Sequence, residues 1–140
     1  MIEVDIQYKE LIELLYKAIL QRRFLKIYYE SESSGRKDWR TIRPYMIWPN
    51  NKNNLALAGV PIEELQKFSK AKRRSGQYLL TQLITRLKDE QIQILPETFD
   101  DPGIPRQRVD DTQTKVICRF IYNDENKKEV ISRWLKVKYK

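Results

Sequence analysis

The chain has 140 residues, enough for one domain with a real core, and its 27 Lys and Arg against 19 Asp and Glu give a net charge of +8. It has no histidine and a single cysteine, Cys118. That excludes an internal disulfide, a Cys/His zinc site, a serine–histidine–aspartate triad and a cysteine–histidine dyad within the chain. The positive excess favours an anionic partner such as nucleic acid, a nucleotide or a membrane headgroup over a merely solvated surface. Met1–Asp5 is polar, and no apolar run approaches the roughly 20 residues of a membrane span, so a cytoplasmic protein with no membrane partner is expected.

Tyr8–Gln21 reads as a helix, with Leu11, Leu14, Leu15, Ala18 and Ile19 on one face at three- and four-residue spacing. Asp5 is its candidate N-cap, and the apolar stripe docks either on its own sheet or on a second copy. Phe24–Glu30 is rich in aromatic and branched residues and reads as a strand, followed by the turn Ser31–Gly35. Trp39–Trp48 is a second strand, in which Pro44 marks an edge, a bulge or a bend because it has no N–H to donate. Asn50–Asn54 is a hairpin turn leading into the apolar strand Leu55–Val60.

In Pro61–Arg74, Glu63–Lys72 forms either a short helix with Leu65 and Phe68 facing in or a mobile loop. Gln77–Thr85 and Gln91–Leu95 read as strands on either side of the charged turn Lys88–Glu90. Glu97–Thr114 is polar, contains Pro102, Gly103 and Pro105, and reads as an extended linker. Lys115–Tyr122 is a further strand, and Asn123 or Asp124 caps a final helix to about Lys136 with Val130, Ile131, Trp134 and Leu135 as its apolar face. The order predicts an α+β fold: a small, strongly bent antiparallel sheet or barrel with an N-terminal and a C-terminal helix.

Lys67, Lys70, Lys72, Arg73 and Arg74 form the densest cationic cluster, suited to phosphate contacts with strong salt dependence. Tyr28, Tyr29, Trp39, Tyr45 and Trp48 interleave with Arg36, Lys37, Arg40 and Arg43, pairing rings that stack on bases with guanidinium groups that hold phosphates. The inward-facing half of these rings belongs to the core. Arg40 and Arg43 differ in parity and point to opposite faces unless Pro44 bends the strand. Asp100–Asp101 and Asp110–Asp111 are paired carboxylates of the kind that hold magnesium in nucleases, but they sit in the linker with nothing rigid to fix them. A solvated linker is the default for them, with Glu97, Asp100 and Asp101 as an alternative lid paired with the basic surface. Cys118 is expected to be a buried small hydrophobe. No glycine-rich phosphate loop is present.

The helix, then Leu25-x-Ile27-x-Tyr29, Arg40-x-Ile42-x-Pro44, the apolar strand Leu55–Gly59 and Tyr78-x-Leu80-x-x-Leu83 together resemble the WYL domain over roughly Leu15–Phe99. The resemblance implies an SH3-like or Sm-like β-barrel that senses a nucleotide or nucleic acid through a basic and aromatic surface. Such domains occur in transcription regulators, commonly after a winged helix-turn-helix domain. Some copies stand alone or accompany CRISPR and other defence systems. The family's Trp-Tyr-Leu position falls here on Leu55-Ala56-Leu57, and the arginine of its last strand falls on Gln82. Residues 1–99 are then the barrel domain with its helix. Residues 100–140 are a linker, strand and helix packed on that domain or on a partner subunit.

The expected function is a non-enzymatic regulatory module that binds nucleic acid or a nucleotide through Tyr29, Arg40, Arg43, Tyr45, Lys70, Lys72, Arg73, Arg74 and Tyr78. It has no catalytic residue, metal or cofactor, and a homodimer or a regulatory protein is its partner. The alternatives are a protein-interaction module with no nucleic-acid ligand and a metal-dependent nuclease.

Overall fold

The computed structural model describes residues 2–31, 34–50, 52–105, 117–119 and 137–140. A strand β1 (Ile2–Val4) and a 3-10 turn precede helix α1 (Lys9–Leu20). Asp5 caps the 3-10 turn, not α1 itself, by accepting from the Gln7 N–H. The predicted stripe of α1 is buried at Leu11, Leu15, Ala18 and Ile19, joined by Ile12, and it packs against the chain's own sheet.

That sheet is built from β2 (Arg23–Glu30), β3 (Lys37–Pro49), β4 (Leu55–Pro61), β5 (Gly76–Leu79) and β6 (Ile92–Thr98), in the order β5-β4-β3-β2-β6 with every neighbouring pair antiparallel. A short strand β7 (Cys118–Arg119) adds to the far end of β3, opposite Met46 and Ile47. The strand β8 (Val137–Tyr139) pairs in parallel with β1, a contact not visible in the sequence, and Lys9 lies 6.0 Å from the Tyr139 ring centroid. The expected helix from Asn123 to Lys136 lies outside the described residues, as do Asp110 and Asp111.

Alternation decides which side chains of β2 enter the core. Leu25, Ile27 and Tyr29 are buried, while Phe24, Lys26, Tyr28 and Glu30 are half-buried on the other face. β4 is buried along its centre from Ala56 to Val60. Its Gly59 faces Pro44, where a Cβ would come within 2.7 Å of Ile42 Cδ1. The Asn50–Asn54 hairpin is closed by Asn50 Oδ1, which accepts from the N–H groups of Lys52 and Asn54 at 3.0 Å each.

Pro44 marks a bend, as its missing donor predicts. The register of β3 against β4 shifts between Pro44 and Met46. On the opposite side of β3, pairing with β2 ends at Ile42 and pairing with β7 begins at Met46. An inserted residue of this kind bends a strand and increases its twist. The sheet curls accordingly. β2 and β5 stand three strand spacings apart in the order, about 14 Å in a flat sheet. Yet the Tyr29 and Tyr78 rings meet edge to face at 5.1 Å between centroids, and Tyr29 Oη accepts from the Leu79 N–H at 3.1 Å. Among the described residues the two edge strands β5 and β6 do not pair with each other, so the sheet is not closed by hydrogen bonds.

One expected strand is a helix. Gln77–Thr85 is strand only to Leu79; residues Leu80–Lys88 form α3. Leu80, Leu83, Ile84 and Leu87 recur with helical spacing, which prevails over the β-branched Thr81, Ile84 and Thr85. α3 runs directly from β5 towards β6 and touches β2 and β4, covering the gap between the edges.

Within α3, Gln82 lies across from the end of β2. Its Oε1 accepts from the Glu30 N–H at 2.7 Å, and its Nε2 donates to the Glu30 carbonyl at 3.1 Å. The carboxamide thus does what a strand would do beyond Gln91, where β6 stops pairing. Replacing Gln82 with alanine is expected to cost about 1–2 kcal/mol in urea unfolding, because two half-buried backbone groups lose their partner. An unchanged unfolding midpoint would show that the end of β2 does not depend on this clamp.

Candidate ligand-binding site

The nine residues picked from the sequence fall into three places. The first lies on the concave side of the sheet. Tyr29 and Tyr78 are buried there, and Arg40 lies with its guanidinium carbon 5.7 Å from the Tyr29 centroid. Arg40 is paired with Asp38 at 3.1 Å, and Asp38 also pairs with Arg36 at 2.6 Å. Burial pushes the Tyr78 phenol up to about 12, against the opposing charge and hydrogen bond of Arg40. These rings pack the core, and the carboxylate of Asp38 already neutralises part of the local charge. Gln82, at the position where the resemblance puts an arginine, is committed to β2.

Tyr45 makes the second place. It is buried, and its hydroxyl is hydrogen-bonded to Ser75 Oγ. This contact ties the bent part of β3 to the segment leading into β5.

The third place lies on the outer face, where Arg43 emerges beside Phe24. Arg43 and Arg40 point to opposite faces by parity, because the bend lies beyond both of them, between Pro44 and Met46. The Arg43 guanidinium carbon is 5.3 Å from the Phe24 centroid and 5.6 Å from that of Phe99, and its Nη1 donates to the Asp101 carbonyl at 2.8 Å. Burial lowers its pKa, and Arg73 adds to the effect while Asp101 and Asp100 oppose it. The stretch after β6 is therefore a packed strap over residues 99–105, not a free linker: Phe99, Pro102, Gly103 and Ile104 are buried. Gly103 sits at φ +94°, a conformation favourable to glycine, and its N–H donates to Asp101 Oδ1 at 2.7 Å.

The basic segment packs beside this strap. Helix α2 (Ile62–Lys67) follows β4 and ends at Phe68, and a 3-10 turn covers Lys70–Lys72. Arg73 donates to three carbonyls: Leu65 at 3.1 Å, Phe68 at 2.9 Å and Gly103 at 3.1 Å. The first of these is an orphan carbonyl at the C-terminal end of a helix, where a cation is favoured. Lys70 pairs with Asp101 at 2.9 Å, so Asp101 uses one carboxylate oxygen on Lys70 and the other on Gly103. Arg43, Lys70 and Arg73 are thus occupied in holding the strap.

Lys72 and Arg74 are left at the surface. With Glu64 and Phe68 they line an open cleft of about 740 Å³. The backbone N–H of Arg74 donates to Glu64 Oε1 at 3.1 Å, which ties the cleft wall to α2. Of the two readings of Glu63–Lys72, the helix would turn Phe68 inward; it is 45% exposed, because α2 stops one residue before it and the chain turns to extended backbone there. Among the described residues neither the Lys72 nor the Arg74 side chain makes an ion pair. An exposed ring lining one cleft with two cations and a single carboxylate can take an aromatic, anionic ligand. Phe68 was missed in the sequence because a lone aromatic after a short amphipathic segment carries no mark of its exposure.

The fold and the cleft together describe a small mixed α/β domain with a basic, aromatic-bearing surface. The model of the family described as the WYL domain matches residues 10–58, from α1 into β4, and this stretch of the chain is similar to that domain. The class is generally one of ligand-sensing regulatory modules. No curated protein and no solved structure gives a significant match. No helix among the described residues is long and apolar enough to cross a membrane.

Arg73→Ala is expected to cost about 2 kcal/mol in urea unfolding, because three carbonyls lose a charged donor. Arg74→Ala should stay within about 0.5 kcal/mol of the parent, and equal losses in the two variants would contradict the division of roles. The Tyr78 phenol, raised from 10.0 to about 12, keeps its proton in the folded chain over a range where the unfolded chain loses it. Its contribution is complete below pH 10 and is lost as pH rises through 12. Unfolding midpoints measured across that range should fall less steeply in Tyr78→Phe. Burial raises the Cys118 thiol from 9.0 to about 12 as well, so a parallel loss remains in the variant. An identical pH slope in parent and variant would rule out the Tyr78 contribution.

Proposed function

We propose that the chain is a regulatory module that senses nucleic acid or a nucleotide through the cleft formed by Phe68, Lys72 and Arg74. The exposure of Phe68 in one cleft with two cations whose side chains make no ion pair among the described residues carries this reading. Stacking on the ring would supply affinity for a base, and Lys72 and Arg74 would hold phosphates. The net charge of +8 would draw such a ligand in. Arg43, Lys70 and Arg73 contribute by shaping the wall and by their field, while the buried Tyr29, Tyr45 and Tyr78 hold the scaffold. The curled sheet, bridged by α3 where its edges do not pair, fits the partly open form of the SH3-like or Sm-like barrel that the resemblance implies.

The test is fluorescence anisotropy with labelled single-stranded and duplex DNA and RNA at two salt concentrations, on the parent and on Lys72→Gln/Arg74→Gln. Binding should weaken steeply with salt. For a single strand, losing two phosphate contacts should reduce the slope of log affinity on log salt by about 1.4. Phe68→Ala should weaken binding about five-fold or more with little change in that slope. No binding by the parent at low salt, or a folded double variant with the parent's affinity and slope, would refute the reading.

A further inference from the structure

The outer face of the sheet carries a second group of rings and cations that the cleft does not use. Register places Tyr28 opposite Trp39, on the face turned away from Leu25, Ile27 and Tyr29. The two rings meet edge to face at 5.7 Å and 66°. Lys26 Nζ lies 5.2 Å from the Trp39 centroid, and the Arg86 guanidinium carbon lies 5.2 Å from the Tyr28 centroid. The result is a row, Lys26–Trp39–Tyr28–Arg86, that runs from β2 and β3 onto α3.

Trp39 is 42% exposed. Cation–π contacts at exposed sites contribute about 0.5–1 kcal/mol each, less than burying a large ring would give. Trp39 is steadied by Tyr28 and flanked by cations, yet leaves a large part of its ring open to solvent. A flat ring displayed among positive charges is what base stacking requires.

The row is also linked to the cleft. β3 carries Trp39 and Arg43 four residues apart on the same outer face, about 13 Å along the strand. From Arg43 the contacts continue through Asp101 to Lys70, and through Gly103 to Arg73, the residue before Arg74 of the cleft.

We propose that Trp39 is a second base-stacking station, and that the ligand is therefore a single-stranded oligonucleotide long enough to reach both rings, not a mononucleotide. This rests on the reading of the Phe68 cleft. The test compares Trp39→Ala, Trp39→Phe and Phe68→Ala with the parent, using a labelled single strand of about 12 nucleotides, within the usual site sizes, and a dinucleotide. Thermal unfolding verifies that each variant is folded.

Trp39→Ala should weaken the long strand about five-fold or more and leave the dinucleotide unchanged, and Trp39→Phe should stay within about two-fold of the parent. If folded Trp39→Ala binds the long strand like the parent while Phe68→Ala does not, the second station is refuted and the cleft stands. Equal weakening of both ligands by Trp39→Ala would also refute it. If the parent binds neither, both readings fall.

Discussion

The bend in β3 is the constraint on which the rest of this structure depends. One strand of 13 residues has to pair with β2 at its start and with β4 and β7 at its end. Its first half alternates between faces, whereas Pro44 to Ile47 are all buried, so both faces of its far half are covered. The register shift between Pro44 and Met46 supplies the turn, at a residue whose missing N–H already interrupts the ladder. From the turn follow the curl that brings Tyr29 onto Tyr78 and the placing of Tyr45 against Ser75. Arg43, one residue before Pro44, is left beside Phe24 and the strap.

The strap in turn decides which charges are available. A cation that donates to backbone carbonyls is part of the fold, and its charge reaches a ligand only as a field. Arg73 is of this kind, joining the end of α2 to Gly103. Lys70 is held by a carboxylate. Lys72 and Arg74 alternate with these along the same short segment and face the cleft. Four neighbouring basic residues of similar appearance in the sequence, Lys70, Lys72, Arg73 and Arg74, thus divide into those that build the wall and those that line the opening.

Much of the fold was legible because its signals are periodic. The alternation of Leu25, Ile27 and Tyr29 and the three- and four-residue spacing in α1 each identify a buried face, and Asn50 and Pro44 mark a turn and a bend through their own chemistry. α3 reads as strand by its β-branched Thr81, Ile84 and Thr85, and the three- and four-residue spacing of Leu80, Leu83 and Leu87 makes it a helix. The strap looked like a linker because proline and glycine mark irregular backbone, whether packed or not. β1 with β8, and Gln82 with Glu30, join residues far apart in the chain, and no local pattern announces them. The site was the least legible part: residue type does not tell exposure, which separates the buried Tyr29 and Tyr78 from the exposed Phe68 and Trp39.

The most direct test of this division is chemical-shift mapping of the isotope-labelled chain titrated with a single-stranded oligonucleotide at low salt. Backbone shifts centred on Phe68, Lys72 and Arg74, with the side-chain Nε signals of Arg43 and Arg73 largely unmoved, are the predicted result. Shifts centred instead on Tyr29, Arg40 and Tyr78, or the loss of the Arg73 contacts on binding, would contradict it.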